Sequence, residues 1–109
     1  MTVRELSENA KFKALTLPCP EREIHGVYVG DLLSWVMGRA KADDVWITIM
    51  SNANIVAVAS LADTACILLA EGVELDDNVK SIAEAKGVNV VQSKKPIFEL
   101  ASELSSLLK

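Results

Sequence analysis

The sequence predicts an α/β fold, a three-layer α/β/α sandwich built around a mainly parallel sheet. From residue 45 onward, apolar runs of strand length alternate with segments of helical periodicity in the order β-α-β-α-β-α. The connections between them are short, which favours parallel strands joined by right-handed crossovers. With 109 residues, half of them hydrophobic, the chain has room for one core, and we expect a single domain over residues 1–109.

The first third of the chain is less regular. Thr2 and Glu5 have the T-x-x-E spacing of a capping box, which predicts a short opening helix. Residues 12–17 predict a strand, which ends at the prolines that follow. A second strand is predicted over residues 24–29 with Gly26 inside it, and a glycine in a strand is typical of a bulge or a close backbone approach.

The middle of the chain predicts two helices around one strand. Residues 32–40 have apolar side chains at helical spacing, and Asp31 is predicted to cap that helix. A β-rich run over residues 45–49 predicts a strand, and the small polar turn 51–54 follows it. The helix predicted over residues 55–63 is apolar nearly all round, so we expect it to be buried on more than one side, in part against another subunit.

The last third completes the alternation. The continuous apolar run 65–69 predicts a strand covered on both faces. A helix is predicted to begin at Asp76 and to stop at Gly87. The strand 88–91 follows, and Pro96 opens a final helix with the clearest apolar stripe in the chain.

Charge and composition exclude several classes of protein. Fifteen acidic and eleven basic residues give a net charge of −4, and Lys94-Lys95 is the only adjacent basic pair, so we expect no nucleic-acid partner. No run approaches the roughly 18 apolar residues of a membrane span, and we expect that residues 1–10, which are charged and lack an apolar core, are not a signal peptide. Cys19 and Cys66 have no partner at metal-site spacing and are expected to be reduced thiols. These features favour a cytoplasmic protein with no membrane partner.

The motifs of common enzymes are missing. The sequence has no G-x-x-x-x-G-K-[ST] phosphate loop, no G-x-G-x-x-G and no G-x-S-x-G nucleophile elbow. His25 is the single histidine, so a histidine-based metal site or acid–base pair lacks its second member. We therefore expect no catalytic centre, no metal and no cofactor, and a protein that works by binding and association.

Two segments are candidates for binding. Arg22, His25 and Gly26 combine charge with a glycine at which a small anion or a second chain can approach the backbone; the alternative for His25 is an ordinary residue at the rim of the sheet. The turn 51–54 lies between a strand and a helix, where free N–H groups and the helix dipole favour an anion. The alternative for this turn is simple capping of the helix.

Two longer segments, Glu21–Leu33 and Trp46–Ala59, resemble the signature stretches of the DRTGG domain family. In the name-giving motif Glu21 stands for the aspartate, Arg22 matches the arginine, and Gly26 keeps the glycine character. The family occurs as small stand-alone proteins, beside CBS domains in some inorganic pyrophosphatases, and in a form related to the N-terminal domain of HPr kinase/phosphorylase. The resemblance extends over nearly the whole chain.

The resemblance implies a three-layer α/β fold, a regulatory or assembly role and often a homodimer. A serine-kinase activity does not follow from it, because that activity belongs to a P-loop domain whose motif is absent here. A fainter similarity, to the small N-terminal domains of Mur ligases that help to hold a uridine nucleotide, would place Arg22, Gly26 and the turn 51–54 near a common pocket.

Two hypotheses result. The first is a non-catalytic regulatory or assembly module that homodimerises through apolar helix surface. The alternative is a sensor that binds a nucleotide or phosphorylated metabolite at a helix N-terminus. The ligand-binding residues predicted from the sequence are Arg22, His25, Gly26, Gly30, Asp31, Ser51, Asn52 and Asn54.

Overall fold

A five-stranded sheet forms the middle layer of the structure, a computed structural model that describes residues 1–108. The strands are β1 (Lys13–Thr16), β2 (Gly26–Val29), β3 (Asp44–Thr48), β4 (Cys66–Leu69) and β5 (Val90–Gln92). Their order in the sheet is β1-β5-β4-β3-β2, with β2 to β5 parallel and β1 antiparallel to β5. The mainly parallel sheet predicted from the sequence is therefore confirmed, and β1 is the one antiparallel strand at its edge.

Within residues 1–108, five helices cover the two faces of the sheet. They are α1 (Val3–Asn9), α2 (Leu33–Arg39), α3 (Asn54–Ala62), α4 (Asp77–Ala85) and α5 (Ile97–Leu107). Because side chains alternate along a strand, Val45 and Ile47 of β3 face α1 and α5, whereas Trp46 faces α2, α3 and α4. Two separate apolar layers result, which confirms the three-layer α/β/α architecture.

The helix ends show which capping predictions hold. The capping box of α1 is present: the Glu5 N–H donates to Thr2 Oγ1 at 3.1 Å, and the Thr2 N–H donates to Glu5 Oε1 at 2.9 Å. Hydrogen bonds from the Thr2 backbone and side chain to the Glu5 carboxyl lower the pKa of that carboxyl below its usual value. Asp76 caps α4, accepting from the Val79 N–H at 2.8 Å.

The apolar helix α3 is buried by its own chain. It packs between α2 and α4 above the sheet, which covers Ile55, Val56, Val58 and Ala59. Burial on more than one side is thus confirmed, and the neighbouring helices supply it. Leu61, which is 72% exposed, is the large apolar side chain of α3 that faces solvent.

Candidate functional site

The residues predicted to form one binding site lie at opposite edges of the sheet. Gly26 begins β2 and pairs with Asp44, the first residue of β3, whereas the turn 51–54 follows the other end of β3. A parallel strand rises about 3.3 Å per residue, so the five residues of β3 separate these positions by roughly 13 Å. The structure therefore places Arg22 and Gly26 at one edge of the sheet and the turn 51–54 at the other, and it does not bring them together in one pocket.

Arg22 ties together two loops at the amino edge of the sheet. Its Nε and Nη2 donate to Asp43 Oδ1 at 3.1 and 3.0 Å, and Nη2 lies 2.8 Å from Asp63 Oδ1. Both aspartates have left-handed backbone conformations, with φ of 69° and 60°. Burial works to lower the pKa of Arg22, but the hydrogen bonds that its guanidinium donates to Asp63 and Asp43 outweigh this effect and raise the pKa. The guanidinium is thus engaged inside the chain, where it fixes the loops before β3 and β4.

His25 and Gly26 complete this edge. His25 is exposed, and its Nδ1 lies 3.3 Å from Asp43 Oδ2. A Cβ at Gly26 would lie 2.6 Å from Asp44 Oδ1, so the close approach predicted at this glycine is present and its partner is a side chain of the same chain. The other oxygen of Asp44 accepts from the Lys41 N–H at 2.8 Å, which holds the carboxylate in place. The glycine therefore accommodates Asp44.

Gly30 and Asp31 lie at the carboxyl edge. The Asp31 carboxylate accepts from Thr48 Oγ1 at 2.6 Å and from the Ile49 N–H at 3.0 Å, and the Gly30 carbonyl accepts from Trp46 Nε1 at 2.8 Å. The prediction that Asp31 caps α2 is wrong, because the N-cap is the next residue and it has no side-chain cap. Buried Thr48 at the end of β3 offers the carboxylate a stronger partner than a solvated helix end.

The turn 51–54 is exposed at the same edge, before α3. Asn52 Oδ1 accepts from the Asn54 N–H at 3.0 Å, and Ala53 rather than a polar residue is the N-cap. Within residues 1–108, the N–H groups of Ser51, Asn52 and Ala53 have no hydrogen-bond acceptor. The turn can therefore accept an anion, although nearby Asp31 contributes a negative charge.

A lysine pocket at the far end of the carboxyl edge was missed by the sequence prediction. Its volume is about 430 Å³, and it lies where β1 begins and β5 ends. Four lysines from two distant segments meet there because Lys13 of β1 pairs with Gln92 of β5. In the sequence, the signals for this pocket were the adjacent Lys94 and Lys95 and the closely spaced Lys11 and Lys13. The lining residues are Ala10, Lys11, Lys13, Gln92, Ser93, Lys94 and Lys95.

Exposed apolar side chains are concentrated on another part of the molecule. Of the seven large apolar side chains that are exposed within residues 1–108, five come from the segment 29–49. Four of them lie in β2, in α2 or between the two, and we call the region that they occupy the β2–α2 surface. Its members are Val29 (43% exposed), Leu32 (57%), Trp35 (52%) and Met37 (47%).

The two cysteines differ in accessibility, and both are free thiols. Cys66 is fully buried in β4, and this burial raises the pKa of its thiol to about 12. Cys19 is exposed in the loop after β1. We expect Ellman's reagent to modify one thiol in the folded protein and two in urea, with Cys19→Ser abolishing the fast reaction. Rapid modification of both thiols in the folded state would contradict this.

The raised pKa of Cys66 also predicts a loss of stability in alkali. Between pH 9.0, where the unfolded thiol ionises, and about 12, the unfolded state alone loses this proton. The free energy of unfolding should therefore fall as pH rises through this window, by up to about 1.4 kcal/mol per pH unit from this group. Urea titrations of Cys66→Ala should show a shallower decline, and an unchanged slope would contradict the assignment.

Residues 1–108 contain neither a membrane-spanning helix nor a cluster of metal-binding side chains. No helix there is long and apolar enough to cross a membrane. No group of three or more His, Cys, Asp or Glu side chains in this part of the chain is placed to hold a metal ion.

Comparison with solved structures defines the fold class. A crystal structure of the CBS and DRTGG domains of the regulatory region of Clostridium perfringens pyrophosphatase, complexed with its activator diadenosine tetraphosphate, matches this chain with a TM-score of 0.71. The sequences are 15% identical, and the match covers 94% of this chain and 45% of the other. This chain thus spans less than half the length of that protein chain and shares the fold of one part of it.

The family follows from the sequence match. Residues 20–107 match the family model of the DRTGG domain, and the chain belongs to the DRTGG domain family. The resemblance noted in the signature stretches is therefore confirmed. No curated protein sequence matches this chain.

Proposed function

We propose that this chain is a non-catalytic regulatory and assembly module that forms a homodimer through the β2–α2 surface and the adjacent edge of the sheet. The observation that carries the proposal is the concentration of exposed apolar side chains on this surface. Exposed apolar side chains that lie near one another commonly mark a site of interaction with another protein chain. Membership of the DRTGG family, in which the pyrophosphatase domain belongs to a regulatory region, supports the regulatory part of the proposal.

Trp35 is the centre of this surface. Leu32 and Trp35 are three residues apart at the start of α2, so they share one side of the helix. The Arg39 guanidinium carbon lies 3.7 Å from the centre of the Trp35 ring, in a cation–π contact that restrains the indole while it remains half exposed. Tryptophan and arginine are the residue types that contribute most often to binding energy at interfaces.

The open edge of β2 also favours a dimer interface at the β2–α2 surface. Within residues 1–108, β2 pairs with β3 alone, so its outer backbone groups have no strand partner. Edge strands of monomeric proteins are commonly protected by charged residues or proline, and the sequence Gly-Val-Tyr-Val of β2 has neither. A second copy related by a two-fold axis would cover this edge with its own β2 and bury both apolar patches.

Light scattering at micromolar concentration tests the proposal. We expect the unmodified chain to have twice the monomer mass and Trp35→Glu to be a monomer. Placing a charge in a desolvated interface should raise the dissociation constant at least about 30-fold, because residues at the centre of an interface contribute about 2–4 kcal/mol each.

Leu61→Glu is the matched control, because Leu61 is also a large exposed apolar residue on a helix and lies outside the β2–α2 surface. This variant should remain a dimer. A monomeric unmodified chain, or equal dissociation of both variants, would contradict the proposal.

A sensor of nucleotides or phosphorylated metabolites is the second candidate function. The related pyrophosphatase region was crystallised with a nucleotide activator. In this chain, two features at the carboxyl edge suit an anion: the free N–H groups before α3 and the lysine pocket. Ligands of open α/β sheets commonly bind at this edge. Such a ligand would stabilise the folded chain by about 2.7 kcal/mol at a hundredfold excess over its dissociation constant.

A further inference from the structure

We infer that the lysine pocket, and not the N-terminus of α3, binds the phosphates of a small polyanion such as a nucleotide or metabolite with two or more phosphates. The inference rests on the sensor candidate and gives it a site that the sequence did not suggest. It does not depend on the dimer, because none of the pocket residues belongs to the β2–α2 surface.

The charge of the pocket is largely uncompensated. Lys95 Nζ lies 3.1 Å from Glu103 Oε1, but within residues 1–108 Lys11, Lys13 and Lys94 form no ion pair with a carboxylate. These three lysines line one cavity, although the chain as a whole has a net charge of −4. They repel one another, so a multivalent anion that bridges them is stabilised by all three.

The pocket is also held in shape before any ligand binds. The loop after β5 is joined to the loop after β4: the Gly72 N–H donates to the Ser93 carbonyl at 2.9 Å, and the Glu71 N–H donates to the Lys95 carbonyl at 3.0 Å. Gln92 Nε2 donates to the Val73 carbonyl at 2.6 Å from the same strand end. A fixed backbone lowers the entropy that a ligand must overcome.

The α3 N-terminus is a weaker anion site. Residues 42–79, which include the whole turn and helix, contain no lysine or arginine. The carboxylate near the turn, Asp31, accepts a hydrogen bond from the Ile49 N–H. A phosphate at this position would gain the helix dipole but no positive side chain from this segment.

The size and lining of the pocket define the ligand class. Its volume of about 430 Å³ is within the usual range of small-molecule sites. Among residues 1–108, those that line the pocket include lysines, a serine and a glutamine but no aromatic side chain on which a base could stack. Ser93 Oγ accepts from the Lys95 N–H at 3.1 Å, so its hydroxyl hydrogen remains available to a phosphate oxygen. The pocket should therefore select for the number of phosphates rather than for the base.

Calorimetric titration with inorganic tripolyphosphate tests the inference. The pocket double variant is Lys11→Gln/Lys94→Gln, and the control double variant is Lys41→Gln/Lys86→Gln. Both doubles lose the same charge, and the control lysines are exposed and lie outside the pocket. We expect the pocket double to weaken binding at least tenfold and the control double to weaken it less than threefold. The light-scattering mass should be the same for all three proteins.

Three results would overturn the inference. If both double variants weakened tripolyphosphate binding equally, the anion would be attracted by the overall positive charge of the lysines and not by the pocket. If the pocket double variant bound tripolyphosphate as tightly as the unmodified chain and Ser51→Pro did not bind it, the ligand site would be the N-terminus of α3. The lysine pocket would then be excluded, but the sensor function would remain. The absence of saturable binding by the unmodified chain would remove both the pocket and the sensor function, while a dimer mass would leave the assembly proposal intact.

Discussion

Replacing Arg22 with alanine is expected to lower the free energy of unfolding by about 2–3 kcal/mol. The guanidinium is about one quarter exposed and bonds two carboxylates, Asp43 and Asp63. Without it, these two like charges remain close together in strained left-handed loops. Urea denaturation at neutral pH measures the loss.

Two variants test whether Arg22 stabilises the fold by linking the loops before β3 and β4. Arg22→Lys keeps the charge but not the planar fork, so it should lie between the wild type and the alanine variant. Arg4→Ala breaks an ion pair with Glu21 whose side chains are 53% and 69% exposed, and should cost less than about 1 kcal/mol. If Arg22→Ala were as mild as Arg4→Ala, Arg22 would not be a structural residue, and its predicted role in ligand binding would regain support.

Asn89→Ala is expected to lower the free energy of unfolding by about 2–4 kcal/mol, because it leaves the Ala65 carbonyl, whose hydrogen bond is buried, and the part-buried backbone groups of Cys19 without this partner. Asn89 is 2% exposed, and its Nδ2 donates to the carbonyls of Cys19 at 2.7 Å and Ala65 at 3.0 Å. Its Oδ1 accepts from the Cys19 N–H at 2.9 Å. One side chain thus holds the loop after β1 against β4 and β5.

The matched control is Asn78→Ala, the same change at an exposed position in α4. We expect a change of less than about 0.5 kcal/mol, as is usual for surface substitutions. Thermal denaturation of the three proteins compares them directly. A loss at Asn89 no larger than at Asn78 would show that water replaces the amide in the variant.

The elements of the fold could be predicted because local patterns determine them. Each predicted strand is present, and its ends lie within two residues of the predicted ends. The apolar period identifies the strand, and the flanking turns determine where it begins and ends. Asp31 shows the limit of local rules. A polar residue before a helix is normally its cap, but the partner that Asp31 takes is Thr48 of β3, which a local pattern does not include.

The arrangement of the candidate sites could not be predicted in the same way. Which residues meet depends on strand register and direction, and Gly26 pairs with the beginning of β3 and not with its end. The lysine pocket depends on the antiparallel pairing of β1 with β5, two strands from opposite ends of the chain. The crossover rule covers parallel β-α-β units, so it does not place β1.

Hydrogen exchange as a function of dilution tests the assembly proposal most directly, because it locates the interface without a mutation. We expect the amides of residues 26–29 on the open edge of β2, and those of α2, to exchange slowly at high protein concentration and faster on dilution below the dissociation constant. The amides of β4, at the centre of the sheet, should not depend on concentration in this range. Exchange at β2 and α2 that is fast at every concentration would contradict the proposal that a second copy covers this surface.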